Sequence, residues 1–201
     1  LIRKHGAPNQ APSYRCIVDF RQLNKVVDKR LYYTCSMDDV VDMVSAQLQD
    51  GQREAPGTPT SPSRLFLTTL DNKSGYYNLT LNPASRPCTA ITGPKARYMF
   101  ARAPMGLQTS SAEYQKAITT LLRSNLNQGN LLVYLDDIIL ATNTLESHLK
   151  ALRSIFQKYD EANIRFNGKK SSICCPRAVF LGWQIDSRGL SMDLRRCDVI
   201  R

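Results

Sequence analysis

The hydrophobic positions of this chain fall into two kinds of pattern, which predict a mixture of strands and helices. Short uninterrupted aliphatic runs are typical of buried strands, and apolar residues spaced by three or four positions are typical of helices packed on a core. Strand-like runs lie at 64–71, 131–135 and 138–141, and helical patterns lie at 37–48, 111–122 and 146–162. This order predicts an α+β fold in which helices pack on one face of an antiparallel sheet.

Two adjacent carboxylates, Asp136 and Asp137, separate the last two aliphatic runs and predict a hairpin with both residues at its tip. Removing two carboxylates from water is costly unless a positive group meets them. An acidic turn facing solvent is the alternative interpretation. However, the pair has no neighbouring Gly, Asn or Pro, and two-residue hairpin turns usually need one of these. The stretch therefore predicts a cation at or near the tip.

A third carboxylate, Asp71, ends the run at 64–71. Asp71 lies 65 positions before Asp136, so only a fold in which the two strands are neighbours brings them together. Mg²⁺ prefers hard oxygen ligands and usually leaves room for substrate phosphates. Three carboxylates from two adjacent strand ends would suit two-metal phosphoryl transfer, in which the metals hold an attacking hydroxyl and a triphosphate in line.

The residues around these carboxylates resemble the motifs of reverse transcriptases. Tyr134-Leu135-Asp136-Asp137 is similar to the family's Tyr-x-Asp-Asp motif. Residues 70–76 are similar to its first catalytic motif, in the form found in gypsy-type LTR retrotransposon polyproteins. Four further blocks agree in order and spacing, at 14–24, 103–115, 167–170 and 180–183. Six collinear blocks cover nearly the whole chain, which is identified on them as a member of this family.

The resemblance implies a right-hand polymerase fold without a thumb. The palm would be an antiparallel sheet with helices on one face, and a fingers subdomain would accompany it. The expected boundaries are approximately 1–28 and 79–108 for the fingers, approximately 29–78 and 109–190 for the palm, and 191–201 for the start of the thumb.

The implied activity is that of an RNA-directed DNA polymerase, a nucleotidyltransferase that adds deoxynucleotides to a primer 3′-hydroxyl. The implied cofactors are two Mg²⁺ ions, with Mn²⁺ as a substitute. The alternative function is a catalytically inactive or domesticated remnant that binds nucleic acid. A palm-type nucleotidyl cyclase or another polymerase is a third hypothesis, which the block at 14–24 and the Tyr-x-Asp-Asp motif disfavour.

The resemblance also implies roles for individual residues. Tyr76 lies five positions after Asp71 and would contact the sugar of the incoming nucleotide; in the alternative, Tyr76 is a core aromatic and Tyr77 faces the site. The catalytic residues and metal ligands would be Asp71, Asp136 and Asp137, the nucleotide-binding residues Arg15, Tyr76, Met105, Lys170 and Lys4, and the primer-binding residues Leu181, Gly182 and Trp183.

The positive net charge of the chain supports a polyanion as its binding partner. The net charge is +10, and residues 1–30 contain seven Lys or Arg against two Asp. Such an excess favours nucleic acid. The expected partners are an RNA or DNA template with its primer, deoxynucleoside triphosphates, and the other domains of a polyprotein: thumb, connection, RNase H, protease and integrase.

The cysteines and the apolar segments indicate the compartment. Six cysteines without a C-x-x-C pair are typical of reduced thiols. No stretch approaches the ~20 apolar residues that span a bilayer, and the N-terminus has no signal-peptide pattern. We therefore expect an intracellular protein with no membrane partner, in the cytoplasm or a virus-like particle, with the nucleus as a further compartment.

Several local features are predicted as well. Ser36 would begin a helix through a capping box, and the proline-interrupted polar stretch after that helix would be a mobile surface loop inserted before the strand that ends at Asp71. The expected bounds are 15–20 for a fingers strand, 49–63 for the loop, 178–185 for a continuous strand, and 187–189 for the turn that follows it.

Overall fold

A computed structural model describes the backbone of residues 2–3, 14–15, 17–53 and 65–192, and the side chains of 17–50 and 65–192. The chain divides into two compact units. The first unit comprises Leu1–Tyr32 and Ser74–Tyr114, and the second comprises Tyr33–Lys73 and Gln115–Arg201.

The elements are numbered in chain order. The strands are β1 (Ile2–Arg3), β2 (Tyr14–Arg15), β3 (Phe66–Asp71), β4 (Ile91–Thr92), β5 (Arg97–Tyr98), β6 (Leu131–Tyr134), β7 (Asp137–Thr142), β8 (Ser172–Cys175), β9 (Arg177–Phe180), β10 (Trp183–Asp186) and β11 (Gly189–Met192). The α-helices are α1 (Arg21–Asn24), α2 (Met37–Arg53), α3 (Gln108–Leu121), α4 (Arg123–Leu126) and α5 (Leu145–Glu161), and two 3₁₀ helices cover Gly75–Asn78 and Pro83–Thr89.

A four-stranded antiparallel sheet forms the centre of the second unit, in the order β6-β7-β3-β8. The aliphatic runs that predicted strands are β3, β6 and β7, so those predictions are confirmed. Along the β3–β7 pair the register runs from Phe66 opposite Thr142 to Asp71 opposite Asp137. The strands predicted to be neighbours are therefore neighbours, and their acidic ends coincide.

The central sheet is covered on both faces. Successive residues of a strand point to opposite sides, so neighbouring residues of β3 contact different elements. Leu67 and Ile139 belong to a buried hydrophobic cluster with Val40 of α2 and Ile185 of β10. Thr68 faces the other way and hydrogen-bonds with α5. The predicted α+β class with an antiparallel sheet is confirmed. The expectation that the helices lie on one face is wrong, because α2 and α5 pack against opposite faces of the sheet.

The strands β9, β10 and β11 form a second antiparallel sheet. The prediction of one continuous strand at 178–185 is wrong, because β9 and β10 are separated by a tight turn. Leu181 and Gly182 both have left-handed backbones, with φ of 50° and 82°. A left-handed pair reverses the chain and pairs Trp183 with Phe180. The predicted turn at 187–189 connects β10 to β11 over 187–188, whereas Gly189 is already the first residue of β11 and pairs with Asp186.

The helix α2 begins with the predicted capping box. The Ser36 hydroxyl accepts a hydrogen bond from Asp39 N at 3.2 Å, and the Asp39 carboxylate accepts one from Ser36 N at 2.6 Å. This reciprocal pair satisfies two backbone donors at the helix start. The helix continues to Arg53, so the predicted loop is wrong over 49–53. Residues 54–63 of that prediction lie outside the described residues.

In the first unit, β1 pairs with β2 and β4 pairs with β5, both antiparallel. The predicted strand at 15–20 is wrong over 17–20, which are not in a strand. The reason is local: Asp19 accepts a hydrogen bond from the backbone N of Arg21 at 3.0 Å, and the short helix α1 follows. Short acidic side chains favour such turns over extended backbone.

Within the described residues, none of the helices is long and apolar enough to cross a membrane.

Candidate active site

Asp71 ends β3 and Asp137 begins β7, and the two residues lie directly opposite each other. Their side chains therefore project from the same face of the sheet. Partial burial raises the pKa of Asp137, the charge of Asp71 raises it further, and Lys170 lowers it. Asp71 is thus close enough to oppose the ionisation of Asp137, as expected for a site that receives positive charge.

Lys170 supplies a positive charge to this pair. Its Nζ lies 3.0 Å from Asp71 Oδ1. The turn that carries Lys170 is attached to the end of β3 by the backbone. Asn167 N donates to Asp71 O at 2.8 Å, and Lys170 N donates to Asn167 O at 3.0 Å. The structure therefore brings Lys170 to the acidic pair, and its predicted role in nucleotide binding stays a prediction.

The hairpin tip consists of Leu135 and Asp136. The prediction that Asp137 also lies in the tip is wrong, because Asp137 pairs with Tyr134 as the first residue of β7. Leu135 takes the left-handed conformation itself, with φ of 52°. A turn without Gly or Asn is therefore formed at a cost of about 1 kcal/mol in backbone strain.

Asp136 is fixed by its backbone to the neighbouring strand, since its carbonyl oxygen accepts from Asn72 N at 2.8 Å. Its charge also contributes to raising the pKa of Tyr159 on α5, although burial of the phenol is the main cause. The three acidic residues thus lie at one end of the β3–β7 pair, with Asp71 and Asp137 as direct partners.

The donor chemistry of this site fits a divalent cation. Within the residues that the structure describes, no three His, Cys, Asp or Glu side chains are already arranged around one metal position. Asp71 and Asp137 nevertheless provide facing carboxylates, which are the hard ligands that Mg²⁺ and Mn²⁺ prefer. A cation between them would also relieve their mutual repulsion. The metal ligands therefore remain a prediction, with a suitable donor set.

A small cleft of about 180 Å³ adjoins the carboxylates. It is lined by Asp71, Asp137 and Lys170, and also by Leu181 from the β9–β10 turn. Leu181 is therefore brought to the acidic end of the sheet, and Gly182 follows it in the same turn. Trp183 begins β10 and pairs with Phe180 and, across the other edge of β10, with Met192.

Tyr76 lies in the first unit, in the 3₁₀ helix Gly75–Asn78. Its hydroxyl is 3.1 Å from Ser111 Oγ, and its ring packs edge-on against buried Tyr114 with centroids 5.5 Å apart. Tyr77 is 37% exposed. The strand alternation that opposed Tyr76 to Tyr77 does not apply in a 3₁₀ helix, so both assignments stay predictions.

Met105 is half-buried in the loop before α3. Next to it, Gly106 has a φ of 90°, a left-handed conformation that favours glycine. The Asn24 side chain fixes this loop: its Nδ2 donates to Gly106 O at 2.9 Å, and its Oδ1 accepts from Gln108 N at 2.9 Å. Lys4 lies outside the described residues, and only the backbone of Arg15 is described.

Sequence reasoning assigned no role to Asn24 or to Gln115, whose carboxamides hold the Met105 loop of the first unit and the Leu135–Asp136 turn of the second unit. Each of them bonds to a carbonyl oxygen and to the amide two residues later. Both residues lie inside blocks on which the family resemblance rests, at 14–24 and 103–115. Their place in these blocks is the one feature of the sequence that could have indicated a role for them.

The motifs, the register of the carboxylates and the antiparallel sheet agree with a comparison against known families. The profile of the family described as reverse transcriptase (RNA-dependent DNA polymerase) matches residues 2–185. The chain belongs to the reverse transcriptase family.

Relatives of this reverse transcriptase domain include polyproteins of Drosophila melanogaster. The chain is 28% identical over 200 residues to the retrovirus-related Pol polyprotein from transposon opus, covering 100% of the chain and 18% of the relative. It is 26% identical over 190 residues to the corresponding polyprotein from transposon gypsy, covering 94% and 17%. The chain thus spans less than a fifth of these relatives' length.

Solved reverse transcriptases share its fold. A foamy viral protease-reverse transcriptase in complex with an RNA/DNA hybrid superposes with a TM-score of 0.73 at 24% identity, covering 92% of the chain and 22% of that protein. A second foamy viral structure, in complex with double-stranded DNA, gives a TM-score of 0.75 at 24% identity, covering 98% and 31%.

Proposed function

We propose that this chain is the catalytic core of an RNA-directed DNA polymerase that adds deoxynucleotides to a primer 3′-hydroxyl. The observation that carries the proposal is the direct pairing of Asp71 with Asp137, beside Asp136 and within reach of Lys170, in a reverse transcriptase domain. Like charges that face each other at paired strand ends destabilise the sheet, so a reaction that needs a metal is their best explanation.

Asp71, Asp136 and Asp137 would hold the two Mg²⁺ ions, or Mn²⁺ in their place. When bound, these ions would activate the 3′-hydroxyl and stabilise the charge that develops on the transferred phosphoryl group. The protein's own contribution is to fix the carboxylates: the backbone of Asp71 is held by Asn167, and that of Asp136 by Asn72. Fixed ligands need no reorganisation during the reaction.

Lys170 would bind the triphosphate. Its side chain is 65% exposed, and an ammonium on a flexible stem can move from Asp71 to a phosphate oxygen. Arg15 and Lys4 would add positive charge to the same ligand, and Tyr76 and Met105 would contact the nucleotide. The turn at Leu181 and Gly182 would present backbone groups to the primer end, with Trp183 behind it.

The net charge of +10 supports a template–primer duplex as partner. Within a longer polyprotein the chain would work with thumb, connection and RNase H domains, and with a protease and an integrase. We place this protein in the cytoplasm or in a virus-like particle, with the nucleus as a further compartment.

Primer extension tests this proposal. The chain, and a longer form that includes a thumb, should extend a DNA primer on an RNA template when dNTPs and Mg²⁺ are supplied. Failure of both forms to extend, with intact folding and duplex binding, would favour the binding-only alternative.

Duplex binding provides the second measurement. Contacts to phosphates should make the affinity fall log-linearly with salt, with a slope of roughly −0.7 to −0.9 per phosphate neutralised. An affinity that does not change with salt would show that the positive charge does not face nucleic acid.

A further inference from the structure

Gln115 on α3 is a buried side chain with every polar group bonded to the neighbouring structure. It is 3% exposed. Its Oε1 accepts from Leu135 N at 2.7 Å, and its Nε2 donates to Val133 O at 2.9 Å. The same Nε2 lies 3.4 Å from Thr119 Oγ1. The carboxamide therefore connects the helix to two backbone groups of the hairpin that carries Asp136 and Asp137.

These two backbone groups belong to the outer edge of β6. In the sheet order, β6 is the outermost strand and has β7 on one side. Tyr134 pairs with Asp137 of β7, so the backbone groups of Val133 and Leu135 point to the other side. A further strand would offer one N–H and one C=O there. Gln115 supplies the same donor and acceptor from a side chain.

The bond to Leu135 matters because of the backbone conformation at that residue. Leu135 is a non-glycine residue with φ of 52°, a strained conformation that persists only where the surroundings hold it. Leu135 immediately precedes Asp136. If the amide of Leu135 were released, the turn could relax, and both acidic residues would move with it.

We propose that Gln115 is a positioning residue, which holds the Leu135–Asp136 turn and so sets the positions of the Asp136 and Asp137 carboxylates. Its effect on the reaction rests on the function proposed above, whereas its effect on the turn does not. Gln115 itself acts only through the hairpin and has no place among the reacting groups.

The test is Gln115→Met, which keeps the length of the side chain and removes both hydrogen bonds. The first readout is hydrogen exchange at Leu135 N–H by NMR, and we expect exchange to be about 10-fold faster or more once the bond is lost. The second readout is primer extension. A misplacement of the carboxylates by about 1 Å should lower kcat about 100-fold, with KM for nucleotide changed less than about twofold.

Gln157→Met is the matched control. Gln157 lies on the exposed side of α5 and bonds to Glu161 at 3.0 Å. This variant should leave both Leu135 exchange and kcat unchanged. Gln115→Asn is the second variant for the case in which Gln115→Met does not fold. Its carboxamide is one methylene shorter and cannot span both groups, so it should move both readouts in the same direction.

Slow Leu135 exchange retained in either folded Gln115 variant, together with a wild-type kcat, would overturn the proposal. If the wild-type protein shows no polymerase activity, the proposed function fails. The exchange measurement then still tests the role of Gln115 in holding the turn.

Discussion

Asp71 and Asp137 are direct cross-strand partners at the end of the β3–β7 pair. Like charges placed directly opposite each other destabilise a sheet by up to about 1 kcal/mol. Lys170 offsets part of this cost through its contact of 3.0 Å with Asp71. Asp71 and Lys170 therefore act in opposite directions on the pKa of Asp137, which Asp71 raises and Lys170 lowers.

Lys170→Met should raise the pKa of Asp137 further. Lys170 is the group that lowers this pKa, against partial burial and the charge of Asp71, which raise it. The carboxyl carbon of Asp137, followed by NMR as a function of pH, measures the change directly. Lys169→Met, one residue away on the same exposed turn, is the control and should leave the titration close to that of the wild type. Equal titration curves for the two variants would show that Lys170 does not act on Asp137.

Because His148 is buried, we expect the stability of the second unit to depend on pH. This fully buried residue of α5 lies between two strands, with Nε2 at 2.7 Å from Thr68 Oγ1 and Nδ1 at 2.8 Å from Thr142 Oγ1. The Thr142 hydroxyl donates to Thr144 O, so Nδ1 carries the proton and Nε2 accepts from Thr68. With these hydrogen-bond roles the imidazole is neutral.

Acidification should therefore weaken the fold. Burial lowers the pKa of His148 from 6.5 to about 4, so the folded protein disfavours the charged form. The contribution of neutral His148 to the free energy of unfolding is fully present above pH 6.5. This contribution is lost as the pH falls toward 4, by a maximum on the order of 3 kcal/mol. Urea unfolding at pH 7 and at pH 4.5 measures this loss. His148→Gln should remove most of the pH dependence in this window; an equally steep loss in that variant would assign it to other groups.

Asn24→Ala should destabilise the loop that contains Met105. The substitution removes the side-chain partner of Gly106 O and Gln108 N, which are both exposed, and the loss of each such hydrogen bond costs about 0.5–1.5 kcal/mol. Urea denaturation gives the difference. The exposed Asn127 is a suitable control, since Asn127→Ala should change stability by less than about 0.5 kcal/mol. Similar small effects for both variants would mean that Asn24 does not fix the loop.

Tyr76→Val should reduce discrimination between deoxyribonucleotides and ribonucleotides. If the ring lies under the sugar, a smaller side chain admits a 2′-hydroxyl, and the preference could fall by about 100-fold. Single-nucleotide incorporation of each substrate measures the ratio. Tyr76→Phe is the matched control, because it removes the contact with Ser111 and keeps the ring. An unchanged ratio in an active Tyr76→Val enzyme would remove Tyr76 as the selective residue.

Much of the fold followed from the sequence because its signals are local. The aliphatic runs became β3, β6 and β7, and the Ser36 capping box begins α2 as predicted. The pairing of Asp71 with Asp137 also required an antiparallel arrangement in one register, which the sequence does not specify.

The remaining features depend on contacts that periodicity does not encode. The left-handed backbones of Leu135 and Leu181 are imposed by hairpin geometry, although leucine has no preference for this conformation. For this reason the strand at 178–185 was predicted as continuous, and Asp137 was placed in the turn. The carboxamides of Asn24 and Gln115 act on loops distant in sequence, so only the structure reveals their partners.

Primer extension by Asp136→Asn tests the central claim most directly. The substitution removes one charge at nearly constant shape, so the variant should keep the wild-type melting temperature. If Asp136 is a metal ligand of a polymerase, extension on an RNA template in Mg²⁺ should fall by orders of magnitude relative to the wild type, measured in the longer form that includes a thumb. Near-normal extension by a folded Asp136→Asn protein would contradict the assignment of this acidic hairpin as the catalytic site.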